Sequence, residues 1–206
     1  MAQRQKVLAQ VLFSRGINLQ YPFLLDRSVF YNCQYHEQIV AVYKELGGIL
    51  HIYPVGFGDF DIITDTCFIE LDEENHFNRY RNITLKSDFY SDCSNFSKQS
   101  YIEYCNDFEN KSGKGGNFWS SVNSERQFGV SSEPGNLDGN GSSRWKQRAF
   151  YDFLRDVYSF LQPKPVYRFS VYCKVGNATI NTVLKKQKSE DYDAMYDLIL
   201  SCISVR

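Results

Sequence analysis

One short stretch constrains this chain more than any other: Asp59-Phe60-Asp61-Ile62-Ile63, followed after a turn by Cys67-Phe68-Ile69-Glu70-Leu71-Asp72. Acidic and apolar residues alternate, as in a half-buried strand, and Thr64-Asp65 supplies a turn. Side chains of a strand alternate between its faces, so Asp59 shares a face with Asp61, and Glu70 with Asp72. An even connecting loop puts Asp61 and Glu70 on the same face; an odd one slips the register and separates them. The even loop is the better expectation, because it joins Phe60, Ile62, Cys67, Ile69 and Leu71 into one apolar face. The other face then collects four carboxylates, which repel one another unless a proton or cation intervenes. Oxygen ligands of this kind suit Mg²⁺ or Mn²⁺, ions that activate water and stabilise charge on a phosphodiester. The bland alternative is the solvated face of an edge hairpin.

At these residues the sequence resembles a family. An Asp on one strand and Glu-x-(Lys or another polar residue) on the next is the pattern of PD-(D/E)xK endonuclease-like proteins. Ile69-Glu70-Leu71-Asp72-Glu73-Glu74-Asn75-His76 resembles the corresponding segment of their very-short-patch-repair-like branch. The resemblance implies a restriction-endonuclease-like core, with Asp61 and Glu70 as ligands of Mg²⁺ or Mn²⁺ and Asp59 as an extra ligand. It puts Asp72 where many relatives have Lys, and it matches His76 to a downstream His. It also makes Glu37, on the first helix of such cores, a candidate ligand. Two positions depart from the pattern: no Lys follows Glu70, and Glu73 stands where Gly is usual.

With 206 residues the chain is read as one domain, 1–206, large enough for a substantial core. A net charge of −1 supplies no global field toward nucleic acid, so any such binding must use a local patch. The six cysteines include no Cys-x-x-Cys pair, which fits reduced thiols in the cytoplasm. Polar residues interrupt the N-terminal segment, and no 18-residue apolar run exists, so neither secretion nor a membrane partner is expected. Patterns for a phosphate loop, a nucleophile elbow, a zinc-protease helix and a dinucleotide fold are all missing.

Apolar spacing predicts helices over 3–14 and 33–46, the latter ended by Gly47-Gly48. An irregular link begins at Tyr21-Pro22, and residues 49–55 read as a strand interrupted by Pro54. A helix starting near Asn75 would line up His76, Arg79, Tyr80 and Ile83. Residues 87–143 read as a long insertion, rich in Ser, Asn and Gly, with eight acids against four bases. The insertion is the expected contact surface for a protein partner or a second copy. Ser143 is the expected cap of a helix carrying Arg144, Lys146, Arg148 and Arg155 on its exposed sides. Residues 166–175 read as a strand, Gly176-Asn177 as a turn, and 192–205 as a closing helix with Cys202 inward.

The fold class expected is α/β: a central mixed sheet flanked by helices, carrying one insertion at about 87–143. The function expected is a metal-dependent nuclease hydrolysing phosphodiester bonds, in DNA more than in RNA. Asp61, Glu70, Asp72 and His76 would be catalytic, while Arg79, Arg81, Arg144, Lys146 and Arg148 would hold the nucleic-acid backbone. The competing expectation is a non-catalytic protein of the same fold that binds nucleic acid or a protein partner. A metal-dependent phosphoesterase for small substrates is the third.

Overall fold

The structure is a computed structural model describing residues 3–20, 26–91, 95–186 and 189–203. Tyr21, Pro22, Cys93 and Val205, which figure in the sequence reading, lie outside those residues. In chain order the helices are α1 (Gln3–Ser14), α2 (His36–Glu45), α3 (Arg79–Leu85), α4 (Lys98–Phe108), α5 (Val122–Phe128), α6 (Ser143–Leu161), α7 (Ile180–Lys186) and α8 (Ser189–Ile203). The strands are β1 (Ile62–Ile63), β2 (Phe68–Asp72), β3 (Val166–Ser170), β4 (Lys174–Val175) and β5 (Ala178–Thr179). Contacts group the chain into two compact units. The first comprises Met1–Leu25, Gly58–Glu73 and Gln162–Arg206, the second Asp26–Phe57 and Glu74–Leu161.

The first unit holds a small three-stranded mixed sheet in the order β1-β2-β3. β1 runs antiparallel to β2, with Ile62 opposite Ile69, and β3 runs parallel to β2, with Glu70 opposite Arg168. Four residues, 64–67, connect β1 to β2, so the loop is even, and the Thr64 hydroxyl closes it by accepting the Cys67 N–H at 2.9 Å. Ile62, Ile69, Leu71, Tyr167 and Phe169 form one face and pack in a common core with Val7, Leu8, Val11 and Leu12 of α1, Val183 and Leu184 of α7, and Met195 and Ile199 of α8. Burying each large aliphatic side chain there stabilises by about 1.5–3 kcal/mol. The other face carries Phe68, Glu70 and Asp72 of β2 beside Val166, Arg168 and Ser170 of β3, all buried.

Several expectations are corrected. Regular strand begins only at Ile62, because the chain bends at Asp61, and Phe60 leaves the Ile62 face to stack on Phe68 at 4.3 Å. Residues 49–55 form no strand. The Ile49 and Leu50 N–H groups donate to the Gln127 carbonyl and the Tyr43 hydroxyl, with no neighbouring strand to continue a ladder. Ile49 and Ile52 stay exposed. β3 stops at Ser170 because its hydroxyl and carbonyl take the Tyr172 and Cys173 N–H groups, closing a turn. Cys202 is exposed, and the described cysteines are free thiols.

α6 is the centre of the second unit. Most of its residues are buried, packed by α3, α5 and α2, and only a narrow face with Arg144, Arg148 and Arg155 is half-buried. The Ser142 hydroxyl, not Ser143, caps it by accepting the Trp145 N–H at 3.1 Å. Residues 87–143 build much of this core: Trp119 meets Trp145 edge-on at 5.2 Å, and Phe89 meets Phe153 at 5.5 Å. Much of the segment reads as loop because many of its apolar residues are isolated aromatics, some of which pack on α6.

Candidate metal centre

The bend at Asp61 brings two carboxylates together on the hairpin. Asp61 lies next in register after Ile62, opposite Glu70. In an unbroken ladder the Leu71 N–H would meet the Phe60 carbonyl; here it donates to Asp61 Oδ2 at 2.9 Å. In return the Asp61 N–H donates to Glu70 Oε1 at 3.1 Å. Asp61 thus stands in for a backbone acceptor, and each acid is held by an N–H from across the hairpin. A carboxylate has about four lone-pair positions, so it can accept hydrogen bonds and still ligate an ion. Glu70 is buried and Asp61 half-buried. This donor set, oxygen only and doubly anionic, fits Mg²⁺ or Mn²⁺.

The other two acids of the expected quartet are placed differently. Asp59 lies exposed on the irregular segment before the bend. Asp72 is buried, and Nη1 of the equally buried Arg168 spans both its oxygens at 2.8 and 3.0 Å. Among the described residues no three of these four carboxylates bring an oxygen within 4.8 Å of one another. Arg168 was not singled out from the sequence. Its signal was there: in Val-Tyr-Arg-Phe-Ser it shares a face with Ser170, a polar pair inside an apolar strand. Nearby, Arg4 of α1 donates to Glu73 at 2.9 Å and to Asn181 at 2.8 Å.

In the second unit His76 ends a single 3₁₀ turn, Glu74–His76, and is not on the helix that carries Arg79. Asn78 separates them: its side-chain oxygen accepts the Tyr80 and Arg81 N–H groups and starts α3 afresh. His76 Nδ1 lies 2.7 Å from Asp152 Oδ2 of α6, and Asp152 is 1% exposed. A carboxylate on Nδ1 fixes that nitrogen as the donor and leaves Nε2 as the basic atom. Glu37 is exposed on α2, and His36 meets the Tyr53 hydroxyl at 3.0 Å.

The expected backbone-binding residues are largely committed to the protein itself. Arg81 is 1% exposed; it pairs with Asp156 at 2.8 Å and donates to the Tyr90 hydroxyl at 2.9 Å, so it faces no solvent from which to reach phosphate. Arg79 is half-exposed and clasps Glu109 through Nε and Nη2, while its own N–H donates to the same carboxylate. Lys146, expected on an exposed face, is 6% exposed. Its ammonium donates to Asn140 at 2.5 Å and lies 5.5 Å from the Tyr80 ring centre, and burial lowers its pKa. Arg144 bonds Gln147, and Arg148 donates to the Asn75 carbonyl at 3.4 Å; both are half-buried. α6 is basic in composition, but its bases serve the packing around it.

Fold and hairpin together define a mixed α/β protein with a small three-stranded sheet and two acids hydrogen-bonded across its hairpin. The chain belongs to the family described as "Family of unknown function (DUF7255)", whose model matches residues 41–186. No curated protein and no solved structure matches it significantly. No helix among the described residues is long and apolar enough to cross a membrane.

Proposed function

We propose that this protein is a divalent-metal-dependent phosphodiesterase of the nuclease class, acting on nucleic acid, DNA more than RNA. The observation that carries the reading is the reciprocal pairing of Asp61 and Glu70, each fixed by a backbone N–H across the hairpin. Chain order adds support. An Asp strand antiparallel to a Glu strand, and a later strand parallel to the Glu strand, is consistent with the endonuclease-like core that the motif resembles. Asp61 and Glu70 would hold Mg²⁺ or Mn²⁺, which when bound supplies Lewis acidity and a water of lowered pKa. Asp59 stands near in sequence as an additional carboxylate. His76 is oriented by Asp152 within the second unit.

A specific observation favours a second reading, a non-catalytic protein of the same fold that binds nucleic acid or a protein partner. Relatives with Lys at the position of Asp72 have a cation there; here an acid occupies it and its charge is neutralised by Arg168. Two measurements decide between the readings. Titration calorimetry with Mn²⁺ should show one site in the wild type, lost in Asp61→Ala and Glu70→Ala. A cleavage assay on labelled single- and double-stranded DNA and RNA, with Mg²⁺ or Mn²⁺, should show activity lost in the same variants. Activity that survives both substitutions removes the nuclease reading; absence of Mn²⁺ uptake by the wild type leaves the binding protein.

A further inference from the structure

The first unit carries a second polar feature that neither the motif nor the metal centre uses. An open cleft of about 430 Å³ lies between the β4–β5 hairpin and α7. Its lining holds Lys174, Lys186, Thr179, Thr182 and Asn177, and otherwise only glycine and alanine. The volume falls within the roughly 300–1,000 Å³ range of small-ligand sites. Two lysines thus line it, with no acidic residue among its walls. Neither lysine takes part in an ion pair among the described residues, in contrast to Arg4, Arg79, Arg81 and Arg168.

Local structure holds the lining in place. β4 and β5 pair with Val175 opposite Ala178, leaving the two-residue turn Gly176-Asn177, and Gly176 has the positive φ of 55° such turns require. The Thr179 hydroxyl accepts the Thr182 N–H and lies 3.1 Å from the Thr182 hydroxyl, which fixes both side chains at the wall. The sequence adds an independent sign. From 157 to 189 the chain contains no acid and six bases, in a protein of net charge −1. Arg168 is neutralised by Asp72, and Lys164 donates to the Thr64 carbonyl, so among the described residues the remaining bases of this stretch are Lys174 and Lys186 at the cleft and Lys185 on α7 beside it.

We infer that this cleft binds a phosphate of the nucleic-acid backbone, held by Lys174 and Lys186 with hydrogen bonds from the threonine hydroxyls and the Asn177 amide. The inference rests on the nuclease reading for the identity of the ligand. Ammonium and hydroxyl donors match phosphate oxygens, and the lining has no aromatic ring on which a base could stack. Recognition here is therefore of charge and spacing, independent of base sequence.

The test uses the full chain in EDTA, so that binding is read apart from cleavage, with fluorescein-labelled 20-nucleotide single- and double-stranded DNA followed by anisotropy. Affinity should fall with salt, and the Lys174→Ala/Lys186→Ala variant should lose about 1.8 units of log–log salt slope on duplex and about 1.4 on single strands. Its Kd should rise about tenfold or more at low salt, equally for unrelated sequences, and Lys174→Arg/Lys186→Arg should restore it. Both lysines are exposed, so far-UV dichroism and melting of the variants should match the wild type. An unchanged slope and Kd in the alanine variant overturns the inference, as does a wild type that binds neither DNA form. Lysine-dependent binding by a protein that cuts nothing upholds the cleft and sinks the nuclease. Metal-dependent cutting without lysine dependence does the reverse.

Discussion

The buried Arg168–Asp72 pair offers the sharpest test of how the sheet is held. Their side chains are 0% and 1% exposed, and a single guanidinium nitrogen spans both carboxylate oxygens. Glu70 shares the same sheet face, opposite Arg168. Arg168→Met keeps an unbranched apolar stem but drops the guanidinium that pairs with a buried carboxylate, a change that costs about 3–5 kcal/mol. For a chain of this size each kcal/mol moves Tm by ~2–4 °C, so the variant should melt roughly 6–20 °C below the wild type. The double variant Arg168→Met/Asp72→Leu removes both charges and should recover most of that loss, because paired desolvation costs vanish together. Far-UV dichroism should follow the melts, since both tryptophans, Trp119 and Trp145, lie in the second unit and report that unit alone. A single variant melting within about 2 °C of the wild type would refute the reasoning, as would a double variant destabilised by the sum of the singles.

Two further outcomes follow from local geometry. Gly141→Ala should cost about 2–4 kcal/mol in urea denaturation, since φ there is 63° and a β-carbon would overlap the buried Tyr80 hydroxyl; an unchanged midpoint would contradict this. The Glu109 carboxyl is pushed up by partial burial, but hydrogen bonds and charge from Arg79 outweigh that and hold it below its ordinary 4.5. The unfolded chain then binds more protons in that interval, so this stabilisation is present above the ordinary glutamate value and is lost as pH falls through the folded one. Because Arg79 is half-exposed, Glu109→Gln should cost under about 1 kcal/mol at pH 7. Its melting difference from the wild type should close as pH falls through the lowered folded value, and a difference that persists once the carboxyl is protonated would show the contact is not electrostatic.

The elements most visible in sequence are those with a strong local signal. α1, α2 and α6 follow apolar spacing, and the Thr64–Cys67 loop follows from the hairpin's alternation together with the need for one continuous apolar face. That same register argument places Asp61 opposite Glu70. Other features belong to the folded chain alone. Alternation over 49–55 suggests a strand, yet a strand exists only where a partner offers a ladder, and here the N–H groups find a carbonyl and a hydroxyl instead. Positive charges on α6 look solvated from their spacing, but the aromatics of 87–143 wrap the helix, and burial converts those bases into packing and hydrogen-bond donors. Asp72 looks like one acid among four until β3 comes alongside and pairs it with Arg168. Local chemistry in the sequence determines periodicity, turns and register, because those depend on neighbours within a few residues. Which charge is neutralised, and by what, depends on residues nearly a hundred positions apart, and only the tertiary structure brings them within a hydrogen bond.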